Sequence, residues 1–113
     1  GIHGEPGYRR EKIKPSKEIA AEIIGKLKAE FNWQKGDTYG LFVNGMGATP
    51  LMELFIYFND AKNILAEEGI ELAFTKVGNY MTSLDMAGAS ITMIKLDEER
   101  TRLLQAPVHT IAW

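Results

Sequence analysis

The run from Tyr39 to Val77 constrains this chain more than any other segment. Tyr39-Gly40-Leu41-Phe42-Val43 is short and apolar without polar alternation, which suits a buried strand. It stops at Asn44-Gly45-Met46-Gly47-Ala48, a glycine-bearing turn. Thr49 then offers an N-cap, and Pro50 a first helical residue whose missing N–H costs nothing. Leu51, Leu54, Phe55, Phe58, Ala61 and Leu65 recur at helical spacing and make an inner stripe. Glu68-Gly69 ends the helix, and Glu71 to Val77 returns as a second strand. Strand, helix and strand in this order predict a parallel pair joined by a right-handed crossover.

Ile56, Tyr57 and Ile64 widen the apolar surface of that helix. A second side is therefore expected to meet a further domain or a second subunit. Upstream, Ser16 is placed to cap a helix whose stripe is Ala20, Ile23, Ile24, Leu27 and Phe31. Downstream, Ala89, Ile91 and Met93 alternate with Ser90 and Thr92 in a third strand ending at Leu96, and Asp97 caps a short helix to about Leu104. The expected fold is α/β: one domain over 1–113, a two-layer sandwich whose mixed sheet is covered by helices.

Composition removes several function classes. With no cysteine, neither disulfides nor thiolate metal sites can form. The two histidines, His3 and His109, are far apart, so no metal site is expected. A net charge of −2 argues against nucleic acid, which needs a basic footprint. No apolar run approaches the ~20 residues of a membrane span and no signal peptide is visible, which favours a cytoplasmic address. The first residue is Gly1 and not Met, so the sequence reads as a piece of a longer protein.

Three segments are candidates for chemistry. In Gly1-Ile2-His3-Gly4-Glu5-Pro6-Gly7, Gly4 permits positive φ and leaves one side of the His3 ring open, while Pro6-Gly7 turns the chain. An imidazole with the reference pKa of about 6.5 is a fair nucleophile near neutral pH. Glu5 is close enough in sequence to orient or polarise the ring, or is simply a turn residue. The basic run that follows, Arg9, Arg10, Lys12, Lys14 and Lys17, is either a solvated leader or a guide for phosphate. The second segment, Gly45, Gly47 and Thr49 before a helix, could cradle a phosphate. Its spacing matches neither G-x-G-x-x-G nor a P-loop, which disfavours a nucleotide site and favours a tight turn that supports the substrate site or a partner interface. The third, Thr82, Ser83 and Asp85, is either a loop folded on its own backbone or a surface for a partner. His109 reads as structural, and the five methionines as core or interface filler.

Taken together, G-I-H-G-E-P-G, Asn44 to Leu51, Gly78-Asn79-Tyr80-Met81-Thr82-Ser83-Leu84-Asp85-Met86-Ala87-Gly88 and Ala106-Pro107-Val108 closely resemble the dihydroxyacetone kinase K-subunit family. The resemblance spans the whole chain and corresponds to the C-terminal third or so of such a subunit. It implies a domain with a mixed sheet. It also implies that His3 holds dihydroxyacetone covalently as a hemiaminal, with Gly4 and Glu5 beside it, for phosphorylation to dihydroxyacetone phosphate. Covalent capture would separate a ketone from glycerol, which has no electrophilic carbon. The remaining substrate-binding groups would lie in the N-terminal part. ADP or ATP with magnesium would sit on a separate L subunit or domain, so this chain binds no cofactor itself and is expected to be inactive alone. The phosphoryl donor would be ATP or a phosphotransferase relay, and the subunit a homodimer. The alternative within the resemblance is a non-enzymatic paralogue that senses dihydroxyacetone as coactivator of a transcription regulator.

Overall fold

The computed structural model describes residues 3–113. Three helices and three strands alternate as α1 (Ser16–Phe31), β1 (Thr38–Gly45), α2 (Leu51–Glu67), β2 (Glu71–Gly78), β3 (Ala89–Lys95) and α3 (Glu98–Gln105). The sheet order is β2-β1-β3, with β1 parallel to β2 and antiparallel to β3. This is the mixed sheet expected from the sequence. β1 is central because its run from Tyr39 to Val43 is apolar: Tyr39, Leu41 and Val43 point to one face and are almost fully buried. Each such side chain contributes roughly 1.5–3 kcal/mol through burial.

That face packs against α2, and α1 packs on α2 in turn. Ala20 and Ile24 of α1 join Leu54, Tyr57, Ala61 and Leu65 of α2 in one core with the strand residues. The stripe of α2 is therefore rotated from the one read in the sequence. Tyr57 is inside, while Leu51 and Phe55 are half exposed. Periodicity alone could not choose, because Leu51 to Phe58 offers apolar residues on nearly every side.

Two of the three proposed N-caps shift by one position. Pro15 and Pro50 take the cap positions, and neither helix has a side-chain cap. Ser16 becomes the first helical residue, its hydroxyl buried without a partner, and Thr49 bonds elsewhere. Asp97 does cap α3, accepting from the Arg100 N–H at 2.7 Å. α2 stops where Glu68-Gly69 predicts: the N–H of Ile70 returns to the carbonyl of Leu65.

β2 carries one extra residue. Leu72 pairs with Tyr39 and Phe74 with Gly40, so Ala73 bulges out of the ladder. Beyond the bulge, Phe74 and Lys76 point to the sheet face away from α1 and α2. There Trp113 lies on Phe42 and Phe74, with ring centroids 5.4 and 6.4 Å apart, and Lys76 Nζ stands 3.4 Å from its ring centroid. The chain end thus covers part of the second face.

Candidate functional site

The carboxyl ends of the two parallel strands lie side by side, and in open α/β sheets that end is where ligands bind. β1 ends at Asn44 and Gly45, β2 at Gly78, and the loop from 79 to 88 crosses over both. Asn44, 1% exposed, is the buried polar residue that organises this end. Its Oδ1 accepts from the N–H groups of Tyr80 (2.9 Å) and Met81 (2.8 Å). Its Nδ2 donates to the carbonyl of Met81 at 2.8 Å. Five residues on, Thr49 Oγ1 accepts from the N–H of Gly88 (2.8 Å) and donates to its carbonyl (3.1 Å). Both ends of the 79–88 loop are thereby tied to the turn after β1.

Backbone bonds fill the space between. Met46 N–H reaches Gly88 O, Ala48 N–H reaches Met86 O, and Ser83 N–H reaches Met46 O. Glycine is required twice in this turn. A Cβ at Gly45 would lie 2.6 Å from Leu54 Cδ1, and one at Gly47 3.0 Å from the carbonyl of Ser83. Gly47 also has φ +128°, a conformation other residues rarely adopt. Gly47, Ala48, Thr82, Ser83, Leu84 and Asp85 together line a shallow cavity of about 530 Å³.

His3 lies at the other end of the leader. The bend falls at His3–Glu5 itself, ahead of Pro6-Gly7. Gly4 takes φ +90° with open space where a Cβ would stand. The ring is exposed, and Glu5 Oε2 accepts from the backbone N–H of His3 at 2.9 Å. Tyr8 rests on Lys26 Nζ, and Arg9 pairs with Glu22 and Glu11, so the leader runs back along α1. Among the described residues of the leader, Ile13 and Lys14 line a cavity of about 590 Å³ together with Thr49 and Gly88.

Against this geometry the family assignment is direct: the Dak1 domain model matches residues 1–112. The chain belongs to the Dak1 family. Over its whole length it is 60% identical to the dihydroxyacetone-binding subunit DhaK of a PTS-dependent dihydroxyacetone kinase from Lactococcus lactis, covering 34% of that protein. It is also 49% identical to the DhaKLM operon coactivator DhaQ of the same organism, covering 35% of it. A solved structure described as regulation of the dha operon of Lactococcus lactis superposes with a TM-score of 0.91 at 48% identity. It covers all of this chain and 36% of that one. This Dak1 chain spans about a third of the length of its DhaK and DhaQ relatives.

Of the residues singled out in the Dak1 sequence, the fold gathers Gly45, Gly47, Thr49, Thr82, Ser83 and Asp85 at one end. His3, Gly4 and Glu5 stay together on the leader. Among the described residues, His3 hydrogen-bonds to Glu5 and to nothing at the loop end. Gly1 and Ile2 lie outside the described residues. The loop is not folded on its own Ser and Asp side chains: Asn44 and Thr49 hold it from outside, and Asp85 (φ +53°) is exposed at its tip. In the turn, the amides of Met46 and Ala48 are bonded to the carbonyls of Gly88 and Met86.

Two residues of consequence were not selected from the Dak1 sequence. Asn44 carried a signal, a polar residue closing an apolar strand, but sat inside a motif valued for its glycines. Tyr57 reads in the sequence as part of the second, partner-facing side of α2, yet it lies in the core. Its hydroxyl is buried without a partner, and burial pushes its pKa up to about 12. Among the described residues no group of three or more His, Asp or Glu side chains is placed to hold a metal, and no helix is long and apolar enough to cross a membrane.

Proposed function

We propose that this chain is part of the substrate-binding subunit of a dihydroxyacetone kinase, and that His3 holds the ketone as a hemiaminal. The observation that carries the reading is the exposed imidazole of His3 beside Gly4 at φ +90°, inside the G-I-H-G-E-P-G block. The dihydroxyacetone-binding subunit named among its relatives supports it. In the step, a ring nitrogen lone pair attacks the ketone carbon, and the carbonyl π pair moves to oxygen. The proton of the other ring nitrogen ends on that oxygen, so nothing leaves. Gly4 keeps the approach open and Glu5 fixes the backbone of His3. The fixed terminal hydroxyl then attacks a phosphoryl group, and orientation of this kind is worth up to roughly 10⁵–10⁸ M in effective molarity. ADP or ATP with magnesium belongs to an L partner, the subunit acts as a homodimer in the cytoplasm, and the chain alone is inactive.

The test is carbon-13 NMR of the intact polypeptide with dihydroxyacetone labelled at the carbonyl. The expected result is a bound signal in the sp³ region that is absent in His3→Ala. A bound ketone signal unchanged by that substitution refutes the covalent reading. The chain's place as the C-terminal third of such a subunit belongs to the same proposal. A reading frame that continues mainly beyond Trp113 would put it at the N-terminal end instead.

The similarity to the DhaQ coactivator supports a second reading, a sensor that binds the same ketone without phosphorylating it. Full-length protein mixed with an L subunit separates the two. Phosphorylation that disappears in His3→Ala marks the kinase, and binding without turnover marks the sensor.

A further inference from the structure

Four large apolar side chains stand half or more exposed on the first turns of α2: Leu51 (50%), Met52 (76%), Phe55 (50%) and Ile56 (51%). Spaced i, i+1, i+4 and i+5, they form one patch, turned away from Leu54, Tyr57 and Ala61. No charge interrupts it. Glu53 lies on the opposite flank, where it lines the cavity shared with Ser16 and Ile19 of α1. The helix layer also stops short over β2. Thr75 pairs with buried Leu41 and so faces the helices, yet it is exposed, and β2 is an edge strand.

We propose that this flank of α2 is covered, in the intact protein, by an apolar element from the rest of the same polypeptide. Three observations select that occupant. The first is length: the chain covers 34% of the DhaK relative and 36% of the solved chain it superposes on, so in those proteins ample polypeptide lies outside the matched part. The second is chemistry. A surface that meets a partner only at intervals keeps the polar character of ordinary surface, whereas permanently covered surface is more apolar. The third is connection. A covalently joined element acts at high effective concentration and keeps the patch dry at any protein concentration. The inference needs neither His3 nor dihydroxyacetone.

A benzophenone amino acid placed at position 55 of the intact polypeptide tests it. On irradiation, the expected cross-link leaves the mass on a denaturing gel unchanged and joins α2 to a peptide outside these 113 residues. In the wild-type polypeptide, Met52 should form sulfoxide at least about tenfold more slowly than after denaturation, because oxidation follows exposure. That protection should survive a hundredfold dilution, a readout that stands even if the position-55 variant does not fold. A doubled mass, or protection lost on dilution, would assign the patch to a second copy and overturn the proposal. A cross-link formed only when another protein is added would overturn it too. So would Met52 oxidised at the denatured rate, or protection with every cross-link inside these 113 residues.

Discussion

Replacing Asn44 with alanine removes one acceptor shared by two backbone N–H groups and one donor to a backbone carbonyl. The groups left behind are Tyr80 N–H, Met81 N–H and Met81 C=O. A buried polar group without a partner costs about 1–3 kcal/mol. Tyr80 and Met81 lie nearer water than Asn44 does, so solvent relieves part of that penalty. A total of about 3 kcal/mol is expected, and at about 1.4 kcal/mol per tenfold this opens the 79–88 loop roughly a hundredfold more often. Native-state hydrogen exchange of the intact polypeptide, read by mass spectrometry over 79–88, measures it directly. Asn44→Asp sharpens the test. It keeps oxygens for both N–H groups but sets a carboxylate against the carbonyl of Met81, so its damage should ease as falling pH protonates the acid. Exchange over 79–88 within about threefold of wild type in Asn44→Ala would refute the reasoning.

Gly47→Ala meets both a φ of +128° and a carbonyl 3.0 Å from the new Cβ, and should lower stability by about 1–3 kcal/mol in urea unfolding. Tyr57→Phe deletes a buried hydroxyl that has no partner, so its unfolding midpoint should stay level or rise; a loss of more than about 1 kcal/mol would reveal a bond to that oxygen. Asp37 is held below its ordinary value of 3.8, first by the Gln34 N–H and then by Lys95. A depressed carboxyl stabilises the fold above its unfolded pKa, and that contribution disappears as pH falls through the folded value. Urea midpoints should therefore drop between pH 5 and pH 3 more steeply in wild type than in Asp37→Asn.

Much of the fold was legible because each element is announced by a different physical signal. β1 is apolar from Tyr39 to Val43, Glu68-Gly69 stops α2, and Asp97 caps α3, so type and order followed from local rules. The orientation of α2 did not, since Leu51 to Phe58 is apolar on almost every side and only contact with α1 decides which residues enter the core. The caps failed for a related reason. Ser16 and Thr49 have the right chemistry, but proline in front of or at the helix start takes the cap backbone, and Thr49 finds better partners in Gly88. At the candidate site, sequence could nominate the turn after β1 and the 82–85 loop separately. That one asparagine joins them is a long-range fact, because the bonds span 36 and 37 residues.

The extra residue in β2 gives that strand an unusual tolerance. Removing one amino acid from an ordinary ladder swaps inside for outside along everything that follows. Here the opposite holds. Excising Ala73 would bring Leu72 and Phe74 into consecutive pairing with Tyr39 and Gly40, so every later side chain would keep its present side. The position is a built-in spacer, and shortening the chain there would straighten the strand without exchanging its two surfaces.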